Sequence, residues 1–243
     1  MTGTAQLIEG LVEPQPAALM RGQLIDQVRT YRQTVFGRDV QHTVWKPLIN
    51  QMEALLVNLG VPSAVSEIAT VRQQLRLAES AGYLCAGLPN SNGVYILNND
   101  TGECLHASNT EGIPAGTPNP VNFEVYRLPF RDDNDKSDLW SFNDLGSGKS
   151  LTNQAFGRVL HASNTLVTPQ GHKYLYTCTP SNNDHAEEFS IVPLEAPDEF
   201  TFTGYFKLSS VRTNMGATFG SDITPALRAR IHQESSGSNV YVY

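Results

Sequence analysis

Cysteine is scarce in this chain of 243 residues, and that scarcity limits the fold classes open to it. The three cysteines, Cys85, Cys104 and Cys178, form an odd set without CxxC spacing. A secreted scaffold held together by disulfides needs several paired cysteines. We therefore expect small, buried, reduced thiols rather than a disulfide framework.

Long apolar runs and targeting signals are also missing. No stretch of 18 apolar residues occurs, so no membrane-spanning helix is predicted. The opening residues 1–6 lack the basic and apolar regions of a signal peptide. The sequence thus predicts a protein that is cytoplasmic, or secreted without a classical signal peptide.

Motifs that carry catalysis or hold cofactors are absent from the sequence. It contains no GxSxG, HExxH or dinucleotide fingerprint, and no nucleophile beside a base. The segment 145–150 ends in Gly-Lys-Ser, but Asn143 stands where a phosphate-binding loop has its first glycine. The six histidines show no metal-ligand spacing. We expect a binding protein, with no enzyme activity, no cofactor and no metal site.

Basic residues are in short supply after residue 90. The net charge is −7, and the residues beyond 90 carry all of it, with 17 acidic residues against 10 Lys and Arg. Such a surface disfavours nucleic acid and anionic lipid as main partners. A neutral glycan or a protein surface suits it better.

What is present falls into two regions with different hydrophobic periods. Up to about residue 90, apolar residues recur at helical spacing in three segments, which end near Gly37, Gly60 and Gly82. Short connections between them predict antiparallel neighbours. Residues 1–90 are therefore predicted to form a three-helix segment.

The apolar stripe of these helices admits three interpretations. It can be the core of a small helical bundle. It can instead be partly exposed and mediate homo-oligomerisation or partner binding through residues 15–85. A third interpretation is a helical arm that inserts into a membrane, as in some pore-forming toxins, although Arg and Glu residues are scattered through all three helices.

After residue 90 the sequence alternates short apolar runs with turn residues. Runs such as 94–97, 123–126, 173–176 and 205–208 lie between clusters rich in Gly, Asn, Asp, Ser and Pro. This pattern predicts strands joined by turns. The predicted fold class is α+β with segregated domains: residues 1–90 are helical and residues 91–243 are all β.

An internal repeat organises the β region. Residues 93–110 and 148–165 match at nine of 18 positions without a gap, including the whole run LHASNT. A weaker third copy begins at Gly204, with its third strand predicted over residues 226–232. Three repeats, at about 93–147, 148–203 and 204–243, predict a β-trefoil of about twelve strands.

Two motifs give the region a resemblance to a known family. Residues 101–105 and 156–160 resemble the "SGKCLD" strand of the ricin B-chain lectin trefoils, and Asp138 and Glu187 occupy the first position of that family's Gln-x-Trp motif. The run LHAS is similar to the "LHSH" of MIR-type trefoils. The resemblance covers about 150 residues. Trp140, Phe142, Phe189 and Ile191, in the strands that end the first two repeats, are predicted to lie in the core.

The resemblance also implies where a sugar would bind. In that family an Asp after the second strand, a stacking aromatic ring and an Asn form the pocket. Here His106 and His161 replace the Asp, and Asn134 and Asn183 lie upstream of the expected position. The candidate carbohydrate-binding residues of the first two repeats are His106, Asn109, Tyr126, Asn134, His161, Asn164, Tyr176 and Asn183. The third repeat lacks this set and is predicted to be structural.

The LHASNT run also has a purely structural interpretation, since Ser and Asn can satisfy a bend by bonding to their own backbone. Our first hypothesis for function is a lectin-like trefoil that binds a glycan or glycoprotein, as a defence lectin or the targeting component of a toxin. One alternative is a protein-binding trefoil, either an inhibitor or a subunit of a complex. The other is a pore-forming toxin whose helices insert into a membrane. Apart from this insertion, we expect membrane contact only through glycans.

Overall fold

The computed structural model describes residues 93–113, 121–131, 135–181, 185–195, 204–224 and 227–243, with scattered helical positions between 73 and 84. The chain divides into two compact units, one of which comprises Leu88–Glu195 and Tyr205–Tyr243. Most of the predicted three-helix segment lies outside the described residues. The domain boundary near residue 90 therefore stays a prediction. No helix among the described residues is long and apolar enough to cross a membrane.

Twelve strands make up the β unit, four in each repeat. The first repeat holds β1 Val94–Asn98, β2 Glu103–Gly112, β3 Phe123–Pro129 and β4 Leu139–Asp144. The second holds β5 Lys149–Asn153, β6 Val159–Val167, β7 Lys173–Cys178 and β8 Phe189–Pro193. The third holds β9 Phe206–Ser210, β10 Gly216–Thr218, β11 His232–Glu234 and β12 Val240–Val242.

The first and fourth strands of the repeats close into a ring. The strand β1 pairs with β4, β4 with β5, β5 with β8, β8 with β9, β9 with β12, and β12 again with β1, all antiparallel. Closure leaves these six strands without a free edge. The second and third strands form three hairpins, β2–β3, β6–β7 and β10–β11. Pairing of β7 with both β3 and β11 joins the hairpins. The fold is a β-trefoil, as predicted from the repeats.

Equivalent apolar positions of the three repeats fill the core. Ile96, Leu151 and Leu208 lie in the first strand of each repeat and are fully buried. Large rings from the fourth strands complete the core, among them Trp140 and Phe189. The indole N–H of Trp140 donates to the backbone carbonyl of Leu105 at 2.9 Å, which satisfies its one polar group. Phe142 is buried as predicted, whereas Ile191 is only half-buried, because β8 becomes exposed towards its end.

The turn after the first strand is built in the same way three times. The side chain of Asn98 accepts backbone N–H groups from residues 100 and 101, and Asn153 does the same for residues 155 and 156. In the third repeat the Ser210 hydroxyl accepts from residue 213. Four residues after each comes a positive φ, at Gly102, Gly157 and Asn214. The sequence therefore specifies this turn in each repeat.

The third repeat departs from its predicted strands. Its third strand is β11 at His232–Glu234, not residues 226–232. Within the described part of that segment, Ala229 and Arg230 make only isolated bridges, to Ile223 and Tyr126. The Arg230 bridge crosses to the first repeat, whereas the Ala229 bridge lies within the connection between β10 and β11.

Candidate functional site

The two copies of LHASNT form the same arrangement on β2 and β6. His106 lies opposite Tyr126 in the β2–β3 register, and His161 lies opposite Tyr176 in the β6–β7 register. Each imidazole packs against its tyrosine ring with centroids 4.6 Å apart, at interplanar angles of 31° and 26°. Four of the predicted site residues are therefore brought together as two matching pairs.

The serine of each copy has a structural role. The Ser108 hydroxyl accepts backbone N–H groups from residues 110 and 111, and the Ser163 hydroxyl accepts from residues 165 and 166. Both bends coincide with a shift in the strand register. The structural interpretation of the repeated run thus holds for serine. The histidine side chain takes no part in this bend and packs on a tyrosine ring instead.

A carboxylate fixes the first imidazole. His106 Nδ1 lies 2.5 Å from Asp138 Oδ1, and the Asp138 side chain is 5% exposed. A carboxylate accepts, so Nδ1 carries the proton and donates it to Asp138. In a neutral ring this leaves the Nε2 lone pair as an acceptor. The sequence identifies Asp138 only by its place at the first position of the Gln-x-Trp motif. The structure shows that its carboxylate is a hydrogen-bond partner of His106.

The second repeat has the same parts in a looser arrangement. Glu187 takes the place of Asp138, and its Oε1 accepts from the backbone N–H and the hydroxyl of Ser181 at 2.8 and 3.0 Å. Ligand atoms of His161, Cys178 and Glu187 lie within 4.8 Å of one another. The carboxylate is therefore beside the imidazole but is held by a serine.

The tyrosines of both pairs are buried, at 3% exposure for Tyr126 and 7% for Tyr176. The Arg228 guanidinium covers the Tyr126 ring at 4.7 Å and donates to its hydroxyl. Burial raises the pKa of Tyr126, and the nearby Arg228 acts against this rise. The imidazoles are the more exposed rings of the two pairs, since His106 and His161 are only partly buried.

The predicted asparagines divide into two groups. Asn109 and Asn164 are exposed at the ends of their LHASNT runs. The amide oxygen of Asn109 accepts from Arg158 Nη2 at 3.3 Å. Asn134 and Asn183 lie outside the described residues, so their place in the site stays a prediction.

Arg158 is a site residue that sequence reasoning missed. Its guanidinium lies 3.7 Å from the Phe123 ring centroid and 4.5 Å from that of Phe156, and it donates to the Ser108 carbonyl at 2.9 Å. Burial lowers the pKa of this arginine. It ties the first LHASNT bend to the second repeat. No local pattern reveals this role, because Ser108, Asn109 and Phe123 lie at least 35 residues away in the sequence.

The third repeat replaces the histidine–tyrosine pair. The equivalent register pair on β10 and β11 is Thr218 with His232. His232 stacks on His172 of the second repeat instead, with ring centroids 4.2 Å apart. The trefoil therefore forms this repeat without the constellation found in the other two.

Comparisons with known proteins add little beyond the fold. No family model matches the chain, and no curated protein matches its sequence. Similar solved structures include the designed threefold-symmetric protein ThreeFoil, at 17% identity and TM-score 0.44, covering 61% of this chain and 96% of that one. A Macrolepiota procera ricin B-like lectin in complex with lactose is 16% identical, at TM-score 0.43 and coverage of 63% and 95%. A Caenorhabditis elegans protein of unknown function is 16% identical, at TM-score 0.46 and coverage of 62% and 92%. The fold assignment rests on the strand pairing.

Proposed function

We propose that the trefoil binds carbohydrate through two pockets, one at His106 and one at His161, as a binding module without catalysis. One observation carries the proposal. The imidazole on a buried tyrosine beside a buried carboxylate occurs in two repeats, while the third repeat folds with Thr218 and His232 at the same register positions. The fold does not need the constellation, so its duplication favours a role in recognition.

The chemistry of the first pocket suits sugar hydroxyls. With Nδ1 bound to Asp138, the imidazole presents a fixed acceptor at Nε2. The Asn109 amide adds an exposed donor group nearby in the same run. A few convergent polar groups on a rigid scaffold are the means by which shallow sites orient a small ligand.

Charge favours a neutral ligand over an anionic one. The residues beyond 90 hold the whole net charge of −7, and each pocket has its own carboxylate. A neutral, hydroxyl-rich sugar avoids the repulsion that a phosphate or sulfate would meet. Two shallow pockets on one chain also allow binding to a branched or repeated glycan to gain from multivalency, and oligomerisation through residues 15–85 would extend this gain.

The test is a glycan array probed with the full-length protein and with the His106→Ala/His161→Ala double variant. Thr218→Ala is the matched control, since it truncates the equivalent position of the repeat that lacks the constellation. Losing one hydrogen bond per pocket is expected to weaken each site by roughly 2–10-fold. The control should bind as the unaltered protein does.

Two results would contradict the proposal. One is that the unaltered protein binds no glycan on a broad array and that free sugars leave its melting temperature unchanged. The other is glycan binding that the double variant and the Thr218→Ala control retain equally.

A further inference from the structure

Two histidines of different repeats converge with two carboxylates away from the proposed sugar pockets. His172 lies in the β6–β7 turn, and His232 and Glu234 lie two residues apart on one face of β11. The β7–β11 register pairs His232 with Tyr174 and Gln233 with Lys173. Continued by one residue, it sets Glu234 opposite His172. The sheet thus brings His172 next to two side chains that lie about 60 residues further along the sequence.

Glu234 lies on the Nε2 side of both rings. Its Oε1 is 2.7 Å from His232 Nε2 and 3.4 Å from His172 Nε2. The ligand atoms of all three residues lie within 4.8 Å of one another. Two imidazole nitrogens and one carboxylate oxygen form a donor set typical of zinc and neighbouring transition metals.

Asp222 lies on the opposite side, facing Nδ1 of both rings. Its Oδ1 is 2.9 Å from His172 Nδ1, and its Oδ2 is 3.7 Å from His232 Nδ1. The Thr168 hydroxyl donates to Oδ2 at 2.6 Å and anchors the carboxylate. At His172 this contact is a hydrogen bond, which holds the proton on Nδ1 and directs the Nε2 lone pair towards Glu234, as a carboxylate does in many metal sites. At His232 it is Nε2 that lies within hydrogen-bond distance of Glu234, and a metal ion bound there would replace the Nε2 proton.

The cluster is rigid on its inner side and open on its outer side. His232 and Asp222 are 1% and 2% exposed, while His172 and Glu234 are 38% and 37% exposed. A Cβ at position 220 would collide with the His232 ring, so Gly220 allows the ring to pack against the backbone. A ligand can therefore enter past the two partly exposed side chains, His172 and Glu234.

The negative charge of the cluster also favours a bound cation. With neutral imidazoles, Asp222 and Glu234 give the cluster two negative charges, and no Lys or Arg is paired with either carboxylate among the described residues. His232 Nδ1 is buried without a hydrogen-bond partner. Carboxylates that are partly removed from water need compensation by a bound cation or by protonation.

We propose that His172, His232 and Glu234 form a binding site for a divalent transition metal such as Zn²⁺, with Asp222 as the positioning residue. Zinc bonds to nitrogen and oxygen of about 2.0–2.2 Å set ligands roughly 3.4 Å apart in a tetrahedron. The distance from His172 to Glu234 already fits. The distance from His232 to Glu234 must widen, and the two rings must open from their parallel stack, adjustments that the exposed Glu234 and His172 side chains supply. Solvent would take the fourth position.

The test uses the full-length chain without a histidine tag, exchanged into zinc and dialysed, with bound metal measured by mass spectrometry. About one retained Zn²⁺ per chain is expected. Affinity is measured by competition with a chromophoric chelator, in His172→Ala and Glu234→Gln, whose side chains are exposed enough for the fold to survive their loss. Either variant should bind at least about 10-fold more weakly. Cobalt substitution should give the visible spectrum of a tetrahedral site.

Two controls separate this site from other histidines. His185→Asn alters an exposed histidine that also pairs with a carboxylate, and the His106→Ala/His161→Ala variant alters the sugar pockets; both should retain the zinc. Asp222→Asn, checked for folding by circular dichroism, should lower affinity by about 10–100-fold if it positions the rings. Failure to retain zinc, or retention that is lost in the pocket variant and kept in His172→Ala, would overturn the proposal. Neither result bears on the glycan array.

Discussion

Arg230 and Glu124 form a fully buried ion pair at the junction of the three repeats. Arg230 Nη2 lies 2.7 Å from Glu124 Oε1, and both side chains are 1% exposed. Arg230 belongs to the third repeat and Glu124 to the first, and the Gln170 side chain of the second repeat accepts from Arg230 Nη1 at 3.3 Å. Burial raises the pKa of Glu124, while the hydrogen bond and the charge of Arg230 act against that rise.

Removing one partner of this pair should destabilise the trefoil strongly. We expect Glu124→Gln to lower the free energy of unfolding by about 3–5 kcal/mol, because the guanidinium stays buried without its counter-charge. The Glu124→Met/Arg230→Met double variant should be much nearer the unaltered protein. Urea unfolding followed by circular dichroism measures both. Equal losses in the single and double variants would show that packing, not charge, holds this junction.

The positive φ angle in the turn after β5 should make the stability of the protein depend on glycine at position 157. Gly157 has φ +63°, and a Cβ there would meet nothing within 4 Å. The cost of Gly157→Ala, about 1–2 kcal/mol, should therefore be purely conformational. Gly157→Asn should cost less, since Asn214 occupies the equivalent position at φ +52°. Urea midpoints of the two variants test this, and an asparagine variant as unstable as the alanine variant would contradict it.

Acid stability should depend on the hydroxyl of Ser147. It donates to Glu188, whose pKa is lowered by this hydrogen bond and by His185, against the opposing effect of burial. A lowered carboxyl pKa adds stability that is present above the ordinary glutamate value of about 4.3 and is lost as the pH falls through the folded value. Ser147→Ala should bring the pKa of Glu188 in the folded protein closer to its value in the unfolded chain, although the His185 contribution remains.

The measurement is the urea midpoint between about pH 6 and about pH 3. The unaltered protein should lose more stability over this range than Ser147→Ala, and Ser147→Thr, which keeps the hydroxyl, should follow the unaltered protein. Parallel pH curves for all three proteins would show that the hydrogen bond does not set the pKa of Glu188.

Much of the β unit could be predicted because its information is local and repeated. The runs at 94–97 and 173–176 lie in β1 and β7, and the Asn98 and Asn153 turns follow from residue type alone. Cys104 and Cys178 are buried, as expected, while Cys85 lies outside the described residues. The threefold repetition then predicts a closed ring, since two copies of the repeat would form an open sheet with exposed edge strands.

The site was less predictable, because its contacts cross strands and repeats. A strand pattern does not reveal that Tyr126 is covered by Arg228 rather than open for stacking. Spacing along the chain also does not reveal that His172 stacks on His232. Their contact depends on the register between the β6–β7 and β10–β11 hairpins. Sequence reasoning named the histidines and tyrosines that pair as His106–Tyr126 and His161–Tyr176, and it missed the histidine cluster that joins the second and third repeats.

The ring of six strands has a consequence for chain connectivity. Tyr95 and Tyr243 exchange backbone hydrogen bonds of 2.8 and 3.0 Å, so the join between β1 and β12 is made in the same way as any other in the ring. In a ring closed in this way, the strand pairing does not depend on which strand comes first in the chain. In a chain of residues 93–243 alone, linking residue 243 to residue 93 and cutting the exposed turn at Gly146 would give a circular permutant that keeps every strand neighbour.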